Sequence, residues 1–239
     1  MPQPFLSIVI PAYNEEPRIA GTLTRVLEYL TAQDYEWEVV VADDGSEDRT
    51  GILVGQVILD HPHNVRILRL PHRGKGWAVK NGMLAAQGEY RLLCDADLSV
   101  PIEQVERMLP PLAPDCDIVL GSREAPGSAR IGEPARRHLM GRFFNLLVTR
   151  LVVPGLADTQ CGFKCVRGEA ARDLFRRQTM EGFSFDVELL HLARKRGWTF
   201  AEVGVDWHYR SESKVRAIRD SLSMTLDLLK IRWRHRRLA

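Results

Sequence analysis

The chain has 239 residues, of which 45% are apolar and 27% charged, with a formal net charge of +2. That length suits one large α/β domain with a buried core, or two small ones. The near-neutral balance excludes a global attraction to nucleic acid, so the placement of charge matters more than its sum.

The amino terminus, Met1-Pro2-Gln3-Pro4, has neither the basic start nor the apolar stretch of a secretory signal. No segment reaches the apolar length of a membrane span, so any membrane contact is expected to be peripheral. The apolar runs Leu6 to Ile10, Trp37 to Ala42, Val65 to Leu70, Tyr90 to Cys94 and Asp117 to Leu120 read as short buried strands. Between them, Pro17 to Leu30 (with Asn14 as a possible cap), Thr50 to Leu59, Gly76 to Ala86 and Pro101 to Leu112 have helical period. This alternation predicts an α/β fold: a doubly wound, mostly parallel, Rossmann-like sheet that collects ligands at the carboxyl ends of its strands. The four cysteines, Cys94, Cys116, Cys161 and Cys165, have no spacing that suggests a disulfide framework or a complete zinc site. They are expected to be reduced thiols in a cytosolic protein.

Polar clusters fall at three of the predicted strand ends: Pro11-Ala12-Tyr13-Asn14-Glu15, Asp43-Asp44-Gly45-Ser46, and Asp95-Ala96-Asp97. Any one of them could merely cap a helix. Together they supply a ring to lie against a base, carboxylates to accept from base or ribose, and an acidic pair suited to Mg²⁺ or Mn²⁺ on a diphosphate. Arg73-Gly74-Lys75-Gly76 follows the third strand. Its glycines permit close backbone approach, which makes Lys75 a candidate donor-side contact, although the loop lacks the pattern of a Walker P-loop.

The four motifs beginning Ser7-Ile8-Val9-Ile10-Pro11, Val41-Ala42-Asp43-Asp44, Arg73-Gly74-Lys75-Gly76 and Asp95-Ala96-Asp97 resemble those of the family 2 inverting glycosyltransferases with the GT-A fold. In the second half, Gly121-Ser122-Arg123, Asp158-Thr159-Gln160-Cys161-Gly162-Phe163-Lys164, Phe185-Asp186-Val187-Glu188-Leu189 and Arg210-Ser211-Glu212-Ser213-Lys214 resemble the polyprenyl-phosphate sugar synthases. The second of these motifs leans toward the glucose branch. The resemblance implies one GT-A domain over residues 1–239, with a nucleotide-sugar half (1–122) and a helical, acceptor-facing half (123–239) that ends in a basic helix. It implies a donor-binding set of Pro11, Ala12, Tyr13, Glu15, Asp43, Asp44, Lys75, Asp95 and Ala96. Within that set Pro11, Tyr13, Glu15 and Asp43 hold the nucleoside, while Asp95 and Asp97 face ribose, Mg²⁺ or Mn²⁺, and diphosphate. Mannose synthases carry a metal-approaching glutamine two residues after the second Asp; here that position is Ser99, which leaves metal preference open.

A lipid phosphate, with a second pKa of about 6, is already an ionised nucleophile and needs cations rather than a base. Arg123, Arg137, Arg210 and Lys214 are the expected phosphate-binding set, with Asp97 completing the catalytic group; Arg130 and Arg136 read as solvated charges. The expected activity is inverting transfer of a hexose from UDP-glucose or GDP-mannose to a polyprenyl or dolichyl phosphate. A sugar-hydroxyl acceptor stays open, because Asp158, Asp186 and Glu188 offer possible bases. A nucleotidyltransferase would carry a Gly-rich basic loop after the first strand, where this chain has Pro-Ala-Tyr-Asn-Glu, and a non-catalytic nucleotide-sugar binder would not need the acidic pair or the cations.

Two segments bear on membrane contact. Leu139, Met140, Phe143, Phe144, Leu146, Leu147, Leu151 and Val152 form an apolar face that suits either an interfacial helix or a core helix. At the carboxyl end, Leu222, Leu226, Leu229 and Ile231 lead into Lys230, Arg232, Trp233, Arg234, Arg236 and Arg237, a basic end suited to an anionic bilayer. The expected location is the cytoplasmic face of a membrane.

Overall fold

The apolar run Leu6–Ala12 is buried along its whole length, as a strand covered on both faces must be. It forms β1 of the computed structural model, which describes residues 3–134, 148, 149, 153, 155–210 and 227–236. Trp37–Asp43 (β2), Val65–Arg69 (β3), Tyr90–Leu93 (β4) and Ile118–Ser122 (β5) follow as expected from the sequence, shifted by a residue or two at their ends. The period of two divides the side chains between two cores. Leu6, Ile8, Ile10, Val39, Val41 and Leu92 face one, while Val9, Val40, Leu93, Ile118 and Leu120 face the other.

Helices cover both faces. In Ile19–Thr31 (α1), Ile19, Leu23, Val26, Leu27 and Leu30 repeat at helical spacing and enter the first core, joined by Val54 from Thr50–Asp60 (α2). Lys75–Ala85 (α3) closes the second core with Val79 and Met83. Two local expectations fail. Asn14 does not cap α1, whose N-cap position is Arg18; with φ of 50°, Asn14 instead uses its side-chain oxygen to accept from the Glu47 amide at 2.9 Å. Pro101–Leu112 is not an α-helix but a 3-10 helix over Ile102–Met108, followed by consecutive prolines that supply no amide donors.

The carboxyl portion contains Gly168–Arg177 (α4), Phe185–Arg196 (α5) and a helix over residues 227–234. It also contains strands the sequence reading left out: Ala129–Ile131 (β6), Lys164–Arg167 (β7), Phe200–Gly204 (β8) and Asp206–His208 (β9). The main sheet has the order β3-β2-β1-β4-β7-β5-β8, and β6 pairs with β9 in a small second sheet. β7 is antiparallel to both β4 and β5, while the other pairings are parallel. Its insertion brings the residues ahead of Lys164 to the edge where β1, β2 and β4 end.

Beneath α3, the buried Arg91 guanidinium donates to the carbonyls of Met83, at 2.5 Å, and Gly88, at 3.4 Å. It satisfies carbonyls at the helix end and in the following turn. Burial pushes its pKa down to about 10.

Candidate active site

The register of β7 against β4 explains the centre of the site. Leu92 pairs with Cys165 and Leu93 with Lys164, so continuing the ladder sets Asp95 opposite Gly162. The carboxylate of Asp95 lies against Gly162 so closely that a Cβ there would overlap its Oδ2. On its other side, Asp95 Oδ1 is 2.7 Å from Lys75 Nζ, the first residue of α3. Asp97 Oδ1 accepts from the Ser99 amide at 2.9 Å, across a turn that holds Leu98 at φ of 45°. Ser99 is buried, and its carbonyl accepts from the His208 amide at 2.7 Å. The Ala96 carbonyl accepts from Thr22 Oγ1 at 2.5 Å, tying the acidic turn to α1.

Gly74 and Gly76 make room for protein backbone, a role the sequence did not reveal. A Cβ at Gly74, whose φ is 128°, would meet the Glu181 carbonyl at 2.7 Å, and one at Gly76 would meet the Met180 carbonyl at 2.6 Å. The glycines therefore admit the backbone of residues 180–182. That segment is fastened by Trp77 N donating to Glu181 O at 3.0 Å and by Gln178 Nε2 donating to Gly76 O at 2.8 Å. Lys75 sits between these anchors with its side chain directed to Asp95.

A second charge pair adjoins the first. Lys164 Nζ, fully buried, donates to Asp186 Oδ1 at 2.7 Å and to the Cys161 carbonyl. Burial pushes the Asp186 carboxyl upward against the pull of Lys164 and Lys75. At Lys75 burial opposes charge, but Asp95, Asp186 and Asp97 outweigh it and hold the ammonium above the ordinary lysine value. Neither Lys164 nor Gly162 was assigned a role from sequence, although both lie in the quoted Asp-Thr-Gln-Cys-Gly-Phe-Lys run.

Beyond the ends of β1 and β3, the Tyr13 ring stacks on His72 with centroids 4.0 Å apart and an interplanar angle of 14°. Asp44 is buried and accepts from His72 Nδ1 at 2.8 Å, the Arg73 amide at 3.0 Å and the Gly74 amide at 2.8 Å. It orders the loop that delivers Lys75. Asp43 accepts from the Ser46 amide at 2.9 Å, and the Glu15 amide donates to Thr50 Oγ1 at 2.8 Å. Pro11 and Ala12 are buried in β1. The expected donor residues thus share one edge, and His72 is an addition that the sequence reading missed.

The expected acceptor cations are more dispersed. Arg123 holds Asp158 with a two-pronged contact, Nε to Oδ2 at 2.6 Å and Nη2 to Oδ1 at 2.9 Å. Burial opposes the charge on Asp158, but Arg123 and the amides of Arg123 and Gln160 outweigh it and hold the carboxyl well below the usual range. Arg130 is paired with Glu124 and Glu133, each at 2.6 Å, rather than free in solvent. Arg210 is exposed. Arg136, Arg137, Lys214, the apolar face 139–152 apart from Val148 and Thr149, Leu222, Leu226 and Arg237 lie outside the described residues. Glu188 is fully buried and accepts from the Thr179 amide at 2.9 Å, Thr179 Oγ1 at 2.6 Å and the Met180 amide at 2.8 Å, with His235 Nε2 2.7 Å away. The cysteines are free thiols; burial pushes Cys161 up to about 11 and Cys165 to about 12.

Among the described residues no three His, Cys, Asp or Glu side chains converge to hold a metal ion by themselves. Asp95 and Asp97 still fit a hard divalent cation, because such an ion commonly takes only one or two carboxylates and completes its shell with water and substrate phosphate. The room that Gly162 leaves for the Asp95 carboxylate is part of that fit.

The family model for glycosyl transferase family 2 matches residues 7–175. The dolichyl-phosphate beta-glucosyltransferase of Dictyostelium discoideum is 36% identical over 244 residues, covering 97% of this chain and 75% of that protein. Its human counterpart is 35% identical over 244 residues, covering 96% and 75%, and that of Saccharomyces cerevisiae is 34% identical over 248 residues, covering 95% and 74%. The fold matches glucosyl-3-phosphoglycerate synthase of Mycobacterium tuberculosis, solved with Mn²⁺, uridine diphosphate and glucosyl-3-phosphoglycerate, at a TM-score of 0.64 and 20% identity over 97% of this chain and 80% of that one. With its acidic pair at the strand edge of a GT-A sheet, the chain belongs to glycosyl transferase family 2 and is a glycosyltransferase.

Proposed function

We propose that the protein transfers glucose, with inversion, from UDP-glucose to a dolichyl or related polyprenyl phosphate, using a divalent cation. The observation that carries this reading is the acidic pair Asp95 and Asp97, set beside Lys75 and Gly162, in a chain whose relatives are dolichyl-phosphate glucosyltransferases. Asp95 and Asp97 would hold Mg²⁺ or Mn²⁺, which when bound supplies positive charge to the departing nucleoside diphosphate. Tyr13, Asp43 and Glu15 line the nucleoside end, and Asp44 orders the loop beneath it. Lys75 lies within reach of a diphosphate seated at the pair.

A phosphate acceptor is supported by how the candidate bases are used. Asp158 is consumed by Arg123, Glu188 by Thr179, Met180 and His235, and Asp186 by Lys164. A hydroxyl would need one of them free to take a proton; an ionised lipid phosphate needs none. Arg123, Arg137, Arg210 and Lys214 remain the cations assigned to that phosphate. Residues 1–239 would then act as one domain, with 123–239 on the acceptor side.

A lipid acceptor would bring the enzyme to a membrane surface, and the cytoplasmic face is the location proposed for it. No helix among the described residues is long and apolar enough to cross a membrane. The helix over residues 227–234 buries Leu228 and Ile231, and exposes Leu229, at 63%, and Trp233, at 66%, beside Lys230, Arg232, Arg234 and Arg236. Each cation near an anionic surface contributes about 1 kcal/mol. The direct test is incubation of the purified protein with a panel of nucleotide sugars and a short polyprenyl phosphate, with and without Mn²⁺. Glucosyl lipid formed only from UDP-glucose and only with metal is the expected result, and transfer to a sugar hydroxyl instead would overturn the acceptor.

A further inference from the structure

The donor edge contains an unusual economy of charge. Lys75 Nζ is 2.7 Å from Asp95 Oδ1 and is acted on also by the charges of Asp186 and Asp97, while Lys164 is bonded to Asp186. Three carboxylates against two ammoniums leave one negative charge. Lys164 cannot leave, because it is fully buried and bonded to both Asp186 and the Cys161 carbonyl. Lys75 can. Its backbone is pinned between the carbonyls of residues 180–182, but its side chain is a quarter exposed and ends on Asp95 Oδ1 at 2.7 Å.

We infer that Lys75 is the resident cation of the acidic pair: it holds Asp95 until the donor arrives, and then passes to the diphosphate as a divalent cation takes the carboxylate. The inference rests on the donor and metal reading proposed above. Its physical basis is electrostatic. A divalent cation binding alone would turn the cluster from one negative charge to one positive, and would strand the Lys75 ammonium beside it. A diphosphate arriving with the metal restores the balance and gives Lys75 an acceptor for its hydrogen bonds. Metal and nucleotide should therefore bind cooperatively, each strengthening the other by the same factor.

On one side Asp95 is confined, because its Oδ2 lies where a Cβ on Gly162 would stand. Release of Asp95 from Lys75 is assigned to movement of the lysine, whose side chain is a quarter exposed. The glycine-flanked first turn of α3 is thus a fixed base for a swinging ammonium, held by Trp77 N donating to Glu181 O and by Gln178 Nε2 donating to Gly76 O.

The test is calorimetric titration of MnCl₂ into the nucleotide-free protein and into the protein saturated with UDP. In the wild type, UDP is expected to tighten Mn²⁺ binding by at least about tenfold. Lys75→Met and Lys75→Gln should bind Mn²⁺ without UDP about tenfold more tightly than wild type, and lose most of the UDP effect. Lys75→Arg, which keeps the charge, should retain the weak nucleotide-free Mn²⁺ binding. Folding of each variant is checked by circular dichroism. Wild-type Mn²⁺ affinity that is independent of UDP overturns the inference without any variant. So does nucleotide-free Mn²⁺ binding by the neutral variants no tighter than wild type. If either occurs while the wild type still binds UDP, the donor site stands and only the exchange falls; a wild type that binds neither UDP nor Mn²⁺ removes both.

Discussion

The carboxylate of Asp95 packs against Gly162, a contact between the end of β4 and the approach to β7 that leaves no room for a Cβ. Because Lys75 holds the other oxygen, a side chain at position 162 must push Asp95 off its present line. Gly162→Ala is expected to leave the fold intact, since Gly162 lies in a loop ahead of β7, and to lower turnover by about 10²-fold through misplacement of the acidic pair. Thermal melting and steady-state kinetics on the same preparation check this. Wild-type turnover would show that Asp95 has freedom the packing denies it.

A second prediction concerns Asp97. Its Oδ1 accepts from the Ser99 amide within the Asp95–Ser99 turn, a bond that an amide oxygen can keep. Asp97→Asn should therefore fold normally but lose on the order of 10²- to 10³-fold in turnover, because the proposed divalent cation at the diphosphate loses a charged ligand. Chelation with EDTA should stop wild-type transfer, and Mg²⁺ or Mn²⁺ should restore it. Undiminished activity after thorough chelation would remove the metal from the mechanism.

How much of this was legible in the sequence depends on the range of the interaction. Strands β1 to β5 and helices α1 to α3 were readable because buried apolar runs and helical period are local signals, and the acidic motifs mark the strand ends where they do sit. β7 was not. Its four residues, Lys-Cys-Val-Arg, are few and begin and end in charge, and their place between β4 and β5 is decided by pairing with residues 44 to 77 positions away. Missing β7 meant missing why Gly162 lies against Asp95 and Lys164 against Asp186. The same limit applies to Arg123. Its motif suggested a phosphate contact, but only the fold places Asp158 around its guanidinium. Gly74 and Gly76 illustrate the converse: the need for close approach was evident, but the approaching group is a backbone segment from residues 180–182.

The Arg123–Asp158 pair has a pH signature. Asp158 is held well below its ordinary value, burial being outweighed by Arg123 and by backbone amides. A carboxyl depressed on folding stabilises the native state fully above its unfolded pKa, about 3.9, and loses that contribution as pH falls through the folded value. Asp158→Asn should remove this acid-sensitive increment. It should also cost about 3 kcal/mol at neutral pH by leaving a half-buried guanidinium without its carboxylate. Urea denaturation at pH 7 and at pH 3 is the measurement. A variant as stable as wild type at pH 7 would show that the pair contributes nothing.

The last prediction separates a phosphate acceptor from a hydroxyl acceptor. Asp158 and Glu188 are bonded into the fold, and Asp186 is bonded to Lys164. With none of these three carboxylates free to act as a base, the acidic limb of the rate profile should belong to the acceptor. It should fall near a pH of about 6, the second ionisation of a phosphate monoester, and move to lower pH when the lipid phosphate is replaced by a more acidic difluoromethylphosphonate. Asp186→Asn is the sharpest variant, because Asp186 is the one candidate base beside Lys75 and Asp95. With a phosphate acceptor it should shift metal and nucleotide affinity and leave the position of the acidic limb unchanged. With a hydroxyl acceptor it should cost on the order of 10² to 10⁴ in rate at saturating substrates, and the limb should disappear with the carboxyl. That second result would remove the lipid phosphate from the proposed reaction and leave a glycosyltransferase with Asp186 as its base.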